Sequence, residues 1–344
     1  MTISFVSFLS LLTQPPLLVA VVLTLCVILV NGWTDAPNAI ATAVSTGALS
    51  FRRAVRLAAV CNLLGVACMA AVNTAVAETI YDIADFGPDT GAALTALCAA
   101  MVAIVLWSAG AWVFGIPTSE SHALVAGVTG AALALQGGMS NIHGGPWGKV
   151  LLGLACSTLP CFLLGKVLGR RAAERPVRDQ RPYRRLQVLG AGAMAFLHGA
   201  QDGQKFMGVF LLGVALAQGR RDTETFLLPL WLMVLCALFM ALGTSMGGRR
   251  IIDTVGRDMV PLDPRQGFAA DLAGAAGLLG CTLLGLPVST THAKTAAILG
   301  VGAGGDAGRV DWGVARSIAA TWLLTFPGCG IIGFLTARAF LLVF

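Results

Sequence analysis

The sequence predicts an all-α polytopic membrane protein that is built from two inverted-topology repeats, with broken helices and re-entrant helical hairpins. Of the 344 residues, 56% are hydrophobic and 12% are charged, and this charged fraction is about half that of soluble domains. The apolar stretches are continuous and reach the length that a membrane-spanning helix needs, about 17–25 residues, whereas a membrane β-barrel needs strands of alternating polarity. Motifs of the first half also recur in the second half.

The apolar stretches form two sets of five, and the first stretch of each set is interrupted by polar and helix-breaking residues. The first set covers 16–50, 55–77, 92–114, 117–136 and 148–169, and the second covers 187–218, 226–246, 267–286, 287–303 and 312–343. We therefore predict a first transmembrane repeat over 1–169, a basic loop over 170–186 and a second transmembrane repeat over 187–344. The nine cysteines all lie inside apolar stretches, which is typical of packing residues and not of a disulfide or zinc framework.

The charges of the loops predict how the two halves face the membrane. Residues 170–185 contain seven arginines and two acidic residues, so the positive-inside rule makes this central loop cytoplasmic. Loop 78–89 carries four acidic and no basic residues, which indicates the external side, whereas its counterpart 247–266 carries four arginines. Equivalent loops on opposite sides predict an inverted repeat. The net charge of +6 therefore indicates how the chain is oriented in the membrane, and it does not indicate nucleic-acid binding.

Four residues or short motifs of the first half recur in the same order in the second half, 167 to 170 residues later. They are Asp35 with Asp202, Arg52-Arg53 with Arg220-Arg221, 117–123 with 287–293, and Pro160 with Pro327. Asp35 belongs to the motif 31–42, beside the helix-breaking Pro37, and Asp202 belongs to the motif 198–208. Because a carboxylate within a membrane span costs several kcal/mol unless it has a partner, these two motifs predict the substrate and ion site of a transporter.

The two aspartates are the predicted cation ligands, and sodium, if it is the coupled cation, is expected at Asp35 and Asp202. Thr34, Asn38 and Gln204 are the predicted neutral oxygen donors, because hard cations prefer oxygen ligands. A bound cation would offset the charge of a bound anion.

Lys205 stands where the first half has Asn38, so the predicted site is asymmetric. It could contact the anion directly or neutralise Asp202, and we expect direct contact. The alternative to a cation site is a buried aspartate that pairs with Lys205 or Lys294 for structure alone.

Two clusters rich in serine and threonine, 115–122 and 285–292, each open a short apolar helix. Pro117 and Pro287 suit the first position of a helix, where the following N–H groups are unpaired and carry the positive end of the helix dipole. Together the clusters predict a cradle for one tetrahedral oxyanion, with ordinary capping of the helices as the alternative. The predicted anion ligands are Thr118, Ser119, Ser121, Ser289, Thr290, Thr291, Gln204 and Lys205.

Glu120 places a carboxylate beside the predicted anion site, where the second half has Thr290. It could accept a hydrogen bond from a protonated oxyanion or titrate for proton coupling. His122, His198 and His292 also lie inside motifs, but the spacing of a metalloprotease site is absent. We expect His122 and His292 to hold the hairpins by hydrogen bonding, with a proton relay as the alternative.

The chain resembles the inorganic phosphate transporter (PiT) family over essentially its whole length. The residues that carry the resemblance are 31–42 and 198–205, similar to the two family signatures, and 117–122 and 287–292, similar to the hairpin motifs. Two residues depart from the common pattern: Gln201 stands in place of Asn, and Glu120 stands where Ser is frequent. These departures leave the coupled ion and the exact anion open.

The resemblance implies symport of inorganic phosphate with sodium or protons, without a resident cofactor, by a homodimer of inverted-repeat subunits in a lipid bilayer. It also implies that Asp35, Asn38, Asp202, Gln204 and the serine and threonine turns line the site. The chain has no long hydrophilic domain between its two sets of stretches, unlike eukaryotic members. We therefore expect a short bacterial type in the cytoplasmic membrane.

Three other functions fit the sequence less well. A sulfate symporter of the same fold is the nearest, but sulfate is fully deprotonated and only accepts hydrogen bonds, so Glu120 would repel it. An intramembrane hydrolase could draw on the Ser, His and Asp residues, but it does not explain why the serine clusters come in two copies. A channel is disfavoured because paired charged sites in a repeat suit alternating access.

Overall fold

The computed structural model describes residues 4–174, 179–219, 227–246, 248–305 and 307–343. Across these residues the chain forms helices joined by turns, with an isolated antiparallel bridge between Ala84 and Ile142. Arg220-Arg221 and residues 175–178 of the predicted basic loop lie outside the described residues. Within the described ranges, the predicted all-α architecture is confirmed.

The described part of the first half contains eight α-helices, and that of the second half contains six. They are α1 (Phe5–Leu11), α2 (Pro15–Thr34), α3 (Pro37–Ser45), α4 (Phe51–Val72), α5 (Ala75–Tyr81), α6 (Thr90–Val113), α7 (Glu120–Leu133), α8 (Gly144–Glu174), α9 (Arg181–Ala217), α10 (Leu230–Met246), α11 (Arg249–Asp253), α12 (Pro264–Leu283), α13 (Thr290–Gly305) and α14 (Trp312–Val343). A π-helical turn over Thr254–Asp258 follows α11.

Within the described residues, five helical segments are long and apolar enough to cross a membrane. They are Pro15–Ser45, Phe51–Val72, Thr90–Val113, Gly144–Glu174 and Trp312–Val343. The bent pair Leu230–Met246 and Arg249–Asp258 adds a sixth if it counts as one span. The helix α9 is 37 residues long and carries the polar motif 198–208 in its middle. These lengths and compositions agree with the predicted membrane protein.

The two halves repeat one order of elements. The series α2–α3, α4, α5, α6, α7 and α8 corresponds to α9, α10, α11, α12, α13 and α14, and the matched Pro160 and Pro327 lie inside α8 and α14. The packing is reciprocal, because α4 packs on α9 as α10 packs on α2, and α7 packs on α14 as α13 packs on α8. A pseudo-twofold axis between the halves would produce this pattern. The direction of that axis relative to the membrane, and with it the inverted topology, stays a prediction.

Glycines allow the halves to approach at equivalent positions. A Cβ on Gly32 of α2 would lie 2.2 Å from the carbonyl oxygen of Met240 in α10, and a Cβ on Gly199 of α9 would lie 2.2 Å from that of Asn62 in α4. Small residues are the usual means of close helix packing within membranes. Because the two glycines are equivalent in the repeat, both crossings between the halves use the same device.

The hairpins predicted from the serine and threonine clusters are present as α6–α7 and α12–α13. Gly115 and Gly285 lie two residues after the ends of α6 and α12, and their φ angles are 70° and 66°. The N–H groups that follow these glycines bond back to the carbonyls of Ala111 and Cys281, which is the Schellman pattern of helix termination. Only glycine adopts this backbone conformation without strain, so the two glycines set where each hairpin turns.

The expected place of the two prolines is wrong. The helices α7 and α13 begin at Glu120 and Thr290, and Pro117 and Pro287 lie in the extended segments before them. The reason is that a serine precedes each helix and its hydroxyl caps the first turn, so the helix begins after the serine.

The expected interruption of the second motif is also wrong. The helix α9 runs without a break through 198–208, whereas the first motif is interrupted at Asp35 and Ala36, between α2 and α3. The difference has a local cause. Pro37 has no N–H group to continue the helix. The stretch 198–208 contains no proline, and its glycines stay helical where they pack against α4 and α5.

The two loops of opposite charge contain more structure than expected. The helix α5 reaches into loop 78–89, and α11 lies inside the counterpart of that loop. These short helices pack on α9 and α3 respectively, which is again a reciprocal pair. Their lengths of seven and five residues are too short for a periodic apolar pattern to reveal.

Gly199→Ala tests the close approach of α9 and α4. We expect a lower melting temperature in detergent, because the added methyl group meets the backbone of Asn62 and overpacking costs about 1–3 kcal/mol. Gly110→Ala in α6 is the matched control, since no described atom lies within 4 Å of a Cβ at that position. Equal melting temperatures for the two variants would contradict the packing argument.

Candidate functional site

Asp35 and Asp202 lie close together in the interior, although they belong to different halves. Asp35 stands at the break between α2 and α3, Asp202 stands in the middle of α9, and each is 1% exposed. One carboxylate oxygen of each and a ring nitrogen of His198 all lie within 4.8 Å of one another. Buried carboxylates so close together need hydrogen bonds or positive charge around them. Two groups of side chains supply these partners.

The first cluster consists of Asp35, Asn38 and Thr291. The hydroxyl of Thr291 donates to Oδ1 of Asp35. The amide of Asn38 donates to the same oxygen and to Oγ1 of Thr291, both at 3.1 Å, and to the backbone carbonyl of Asp35 at 2.9 Å. The start of α13 is thereby joined to the acid at the break between α2 and α3.

The second cluster consists of Asp202, Lys205 and Ser121. The ammonium group of Lys205 donates to Oδ1 of Asp202 at 2.6 Å, to Oγ of Ser121 at 2.6 Å and to the backbone carbonyl of Val288 at 2.5 Å. The hydroxyl of Ser121 also lies 3.5 Å from Oδ1 of Asp202. One ammonium group thus joins α9, the start of α7 and the turn before α13.

The other carboxylate oxygen of Asp202 is occupied as well. The amide of Asn31 donates to Oδ2 at 3.0 Å, and Nε2 of His198 lies 3.3 Å from the same oxygen. The second ring nitrogen of His198 lies 3.2 Å from Oδ1 of Asn62. Asn31 and His198 are equivalent in the repeat, yet both contact Asp202.

The two clusters are equivalent in position and different in charge. The aspartates are 167 residues apart, as are Asn38 and Lys205, and the two hydroxyl residues are 170 apart. In each cluster a hairpin hydroxyl reaches the aspartate of the other half. All three ammonium protons of Lys205 are donated to protein oxygens, and the charge neutralises Asp202. The expected direct contact of Lys205 with an anion stays a prediction.

Three other hydroxyls lie at the hairpin starts. Ser119 and Ser289 each accept a hydrogen bond of 3.2 Å from the backbone N–H group three residues on, which belongs to His122 or His292. Capping therefore occupies one lone pair of each serine, and the hydroxyl hydrogen is left to donate to a ligand. Oγ1 of Thr290 is buried without a partner in the described part of the chain.

Two predicted site residues have partners elsewhere. Oγ1 of Thr118 lies 3.2 Å from Nε1 of Trp107, which donates to it, and 3.1 Å from Oγ1 of Thr325. Thr34 donates to the carbonyl of Val30 at 2.9 Å, one turn earlier in α2. Among the described hydrogen bonds, none joins either residue to the two clusters.

Several polar atoms in the two motifs and the first hairpin are buried without a hydrogen-bond partner in the described residues. They are Oδ1 of Asn31, Oδ2 of Asp35, Oδ1 of Asn38, both carboxylate oxygens of Glu120 and both amide atoms of Gln204. Native proteins rarely leave buried polar groups unpaired, so such a group of atoms indicates where a polar ligand binds. Asp35 and Asn38 offer oxygens suited to a cation. No described hydrogen bond joins Gln204 to either cluster.

Gln201, which departs from the family pattern, holds the turn of the second hairpin. Its amide nitrogen donates to Oγ1 of Thr282 at 2.9 Å and to the carbonyl of Leu286 at 3.2 Å, and its oxygen accepts from the N–H group of Val288 at 3.3 Å. The carbonyl of Val288 is in turn a partner of Lys205. Sequence reasoning missed this positioning role, because the chain order does not show that Gln201 meets a turn more than eighty residues away.

No described hydrogen bond involves the ring of His122 or His292, so the expected role of these rings in holding the hairpins by hydrogen bonding stays a prediction. Their rings meet edge to face with centroids 4.5 Å apart, and they contact Phe326 and Trp322 of α14. Nδ1 of His122 and both ring nitrogens of His292 have no hydrogen-bond partner within the described ranges. The two hairpins therefore meet through aromatic packing at these positions.

A second buried ion pair lies one helical turn beyond the first cluster along α3 and α13. The ammonium group of Lys294 donates to Oδ1 of Asp271 and, at 3.0 Å, to Oγ1 of Thr42, which donates to the same carboxylate oxygen at 2.7 Å. This group ties α3, α12 and α13 together. Sequence reasoning considered Lys294 and missed Asp271, although a carboxylate inside the apolar stretch 267–286 is the same signal that marked Asp35.

Comparisons with known proteins decide the family. The sequence model described as the Phosphate transporter family matches residues 31–173 and 168–333. A Bacillus subtilis protein named "Probable low-affinity inorganic phosphate transporter" is 37% identical over 92% of this chain and 96% of its own length. This chain belongs to the phosphate transporter family. A Mycobacterium tuberculosis protein of the same name is 38% identical to this family member over 93% of the chain and 76% of its own length.

The fold of this family member is also similar to a solved structure, described as "The sodium-dependent phosphate transporter". The TM-score is 0.83 at 21% sequence identity, and the similarity covers 96% of this chain and 100% of the other. This similarity confirms the predicted polytopic helical fold.

Membership of the phosphate transporter family confirms the prediction of a transporter and not an enzyme. In the described residues, no serine hydroxyl forms a hydrogen bond to an imidazole nitrogen. A Gly-x-Ser-x-Gly pattern does occur at 243–247, but Ser245 lies in α10 with its hydroxyl donating to the carbonyl of Leu242 at 2.6 Å. A serine inside a helix is not the strained strand-to-helix turn that activates a nucleophile.

Gln201→Leu should lower the melting temperature of this phosphate transporter family member. The change removes three hydrogen bonds and leaves backbone groups of Leu286 and Val288 unpaired, and each orphaned group costs about 1–3 kcal/mol. The measurement is thermal unfolding of the purified protein in detergent. Gln136→Leu, at an exposed position, is the control, and a variant of Gln201 as stable as this control would show that the turn is held by other contacts.

Proposed function

We propose that the protein is a secondary active symporter of inorganic phosphate, coupled to sodium ions or protons, that works by alternating access. The observation that carries this proposal is the meeting of two hairpin helix starts with two buried aspartates, Ser121 with Asp202 and Thr291 with Asp35. Helix starts bind anions and buried acids bind cations, so one site can hold both. The names of the relatives support phosphate as the anion.

The anion is proposed to bind between the starts of α7 and α13. The N–H groups of the first turn of each helix have no partner within the helix, and they carry the positive end of the dipole. The proposed phosphate ligands are Ser119, Ser121, Ser289, Thr290 and Thr291, with Gln204 as a further donor. Thr118, Thr291 and Lys205 would have to change hydrogen-bond partners to donate to the anion.

The co-transported cation is proposed to bind at Asp35 and Asn38, whose unpaired oxygens are buried, and Asp202 is proposed to hold a second positive charge. Thr34 would join this site only if its hydroxyl left the carbonyl of Val30. Every side chain of the two clusters is at most 6% exposed, so the conformation described here is occluded. Alternating access therefore requires the hairpins to move apart on one side at a time.

The membrane arrangement is part of the same proposal. The repeats 1–169 and 187–344 are proposed to be inverted relative to each other in a bacterial cytoplasmic membrane, with loop 170–186 in the cytoplasm. The reciprocal packing of the halves supports a site at the interface of the repeats. The homodimer is proposed from the family resemblance alone.

Phosphate is proposed over sulfate because of Glu120. Both oxygens of this buried carboxylate lack a partner among the described residues. Phosphate near neutral pH keeps a hydrogen that it can donate to such an oxygen, whereas sulfate only accepts hydrogen bonds and would be repelled. Glu120 is therefore proposed to recognise the protonated oxyanion or to carry a coupled proton.

Uptake by the purified protein in proteoliposomes tests the proposed function. We expect labelled phosphate to accumulate against its gradient when an inward gradient of sodium or protons is imposed, which a channel cannot achieve. About tenfold excess sulfate should leave most of the phosphate uptake, because a site that prefers phosphate by more than roughly 1.4 kcal/mol still binds mainly phosphate at that ratio. If sulfate abolishes uptake while phosphate itself accumulates poorly, the anion is wrong. Replacing sodium with choline at two external pH values identifies the coupled ion.

Asp35→Asn should remove the cation dependence of uptake while the protein still inserts and folds. The amide keeps the shape of the side chain but loses the charge that holds a cation, so we expect stimulation by the coupled cation to fall by about tenfold or more. Asp85→Asn, in the exposed acidic loop, is the control. Cation-stimulated uptake at the native level in the Asp35 variant would exclude Asp35 from coupling.

A further inference from the structure

The ammonium group of Lys205 is fixed among three oxygens in the interior. It lies 2.6 Å from the carboxylate of Asp202, 2.6 Å from the hydroxyl of Ser121 and 2.5 Å from the carbonyl of Val288. Carboxylate, hydroxyl and backbone carbonyl oxygens are also ligands that hard cations take in proteins. Because Lys205 is 1% exposed, water does not compete for these oxygens.

The equivalent position in the first cluster carries no positive charge. There Asn38 stands in place of Lys205, and its amide donates to Asp35 and Thr291. Oδ2 of Asp35 and Oδ1 of Asn38 remain buried and unpaired in the described structure. A carboxylate oxygen and an amide oxygen left open in a dry interior are suited to bind a cation.

We propose that Lys205 is a tethered cation whose ammonium group takes the place of one co-transported cation at Asp202. Each protomer then binds a mobile cation at Asp35 and not at Asp202. This inference rests on the proposed symport function and specifies its stoichiometry. The repeat provides two equivalent cation positions, and the side chain of Lys205 occupies one of them permanently. The number of cations that cross the membrane with each anion is therefore one fewer than if both positions held mobile cations.

A tethered charge has a physical consequence for the transport cycle. Two aspartates close together repel an incoming anion, and Asp202 is neutralised by Lys205 whether or not a cation has bound. The repulsion between Asp202 and the anion is therefore reduced in every state of the transport cycle, and no cation has to bind at Asp202 to reduce it. Asp35 alone makes the affinity for the anion depend on a mobile cation.

Lys205→Asn places in the second cluster the residue that the first cluster has, and it is the decisive variant. We expect it to acquire a sodium site. Sodium at about 0.15 M, compared with choline, should raise the melting temperature of the purified variant by roughly a few degrees more than that of the native chain. In proteoliposomes, the apparent order of uptake in sodium should rise by about one relative to the native chain.

Lys205→Met is the matched control, because methionine has a similar length but neither the charge nor a ligand for sodium. We expect no additional sodium response from it. The tethered-cation role is overturned if Lys205→Asn keeps the sodium dependence of the native chain, or if Lys205→Met acquires the same response as Lys205→Asn.

Removal of Lys205 leaves Asp202 buried without its main partner, so the recovery of folded protein is itself a readout. Recovery of Lys205→Asn in sodium but not in choline supports the inference, because the ion then replaces the ammonium group. If Lys205→Asn folds in neither buffer, Lys205→Ala, which leaves room for a hydrated ion, is purified in the same two buffers. Failure of both variants to fold in sodium overturns the inference.

The two proposals fail in different ways. The sodium-dependent melting temperature of Lys205→Asn does not require that the native chain carries phosphate, so the sodium site can be observed even if uptake experiments identify another anion. Conversely, phosphate uptake by the native chain, together with no added sodium response in Lys205→Asn, overturns only the tethered cation.

Discussion

The constraint on which the rest of the structure depends is the burial of two carboxylates, Asp35 and Asp202, in a chain that spans a membrane. Neither can remain charged in a dry interior without partners. In each case one of the partners comes from the opposite half, since Thr291 bonds to Asp35 and Ser121 lies against Asp202. The requirement to satisfy these two acids therefore brings the starts of α7 and α13 to the same place, and this meeting forms the candidate site.

The repeat supplies the frame, and a few differences between its halves supply the chemistry. Equivalent glycines, Gly32 and Gly199, let each half pack closely on the other. At one pair of equivalent positions the frame carries Asn38 in the first half and Lys205 in the second, so one aspartate keeps an open oxygen while the other is neutralised by the protein. A symmetric scaffold with an asymmetric charge distribution can bind an anion, a mobile cation and a fixed cation side by side.

Local chemistry decides where the chain turns, and packing decides what each turn does. Gly115 and Gly285 adopt the same backbone conformation just after the first helix of each hairpin, and a serine caps the second helix in both. The second turn has an additional clamp, Gln201 on α9, which binds the backbone on both sides of the turn. The carbonyl of Val288 is thereby held where Lys205 can reach it.

The sequence by itself determined the membrane class, the recurrence of motifs in the two halves, the two aspartates inside the apolar stretches and the presence of the two hairpins, but not the residues at which α7 and α13 begin. These features follow from hydropathy, from the backbone preferences of glycine and proline, and from spacing along the chain. Only the tertiary structure decided that α9 is continuous, that Thr118 bonds to Trp107 and Thr34 to Val30, that Asp271 pairs with Lys294, and that Lys205 gives its three protons to protein oxygens. The physical reason is that a hydrogen bond depends on separations of about 3 Å between residues that lie as many as 256 positions apart in the chain, and the packing of whole helices sets those separations.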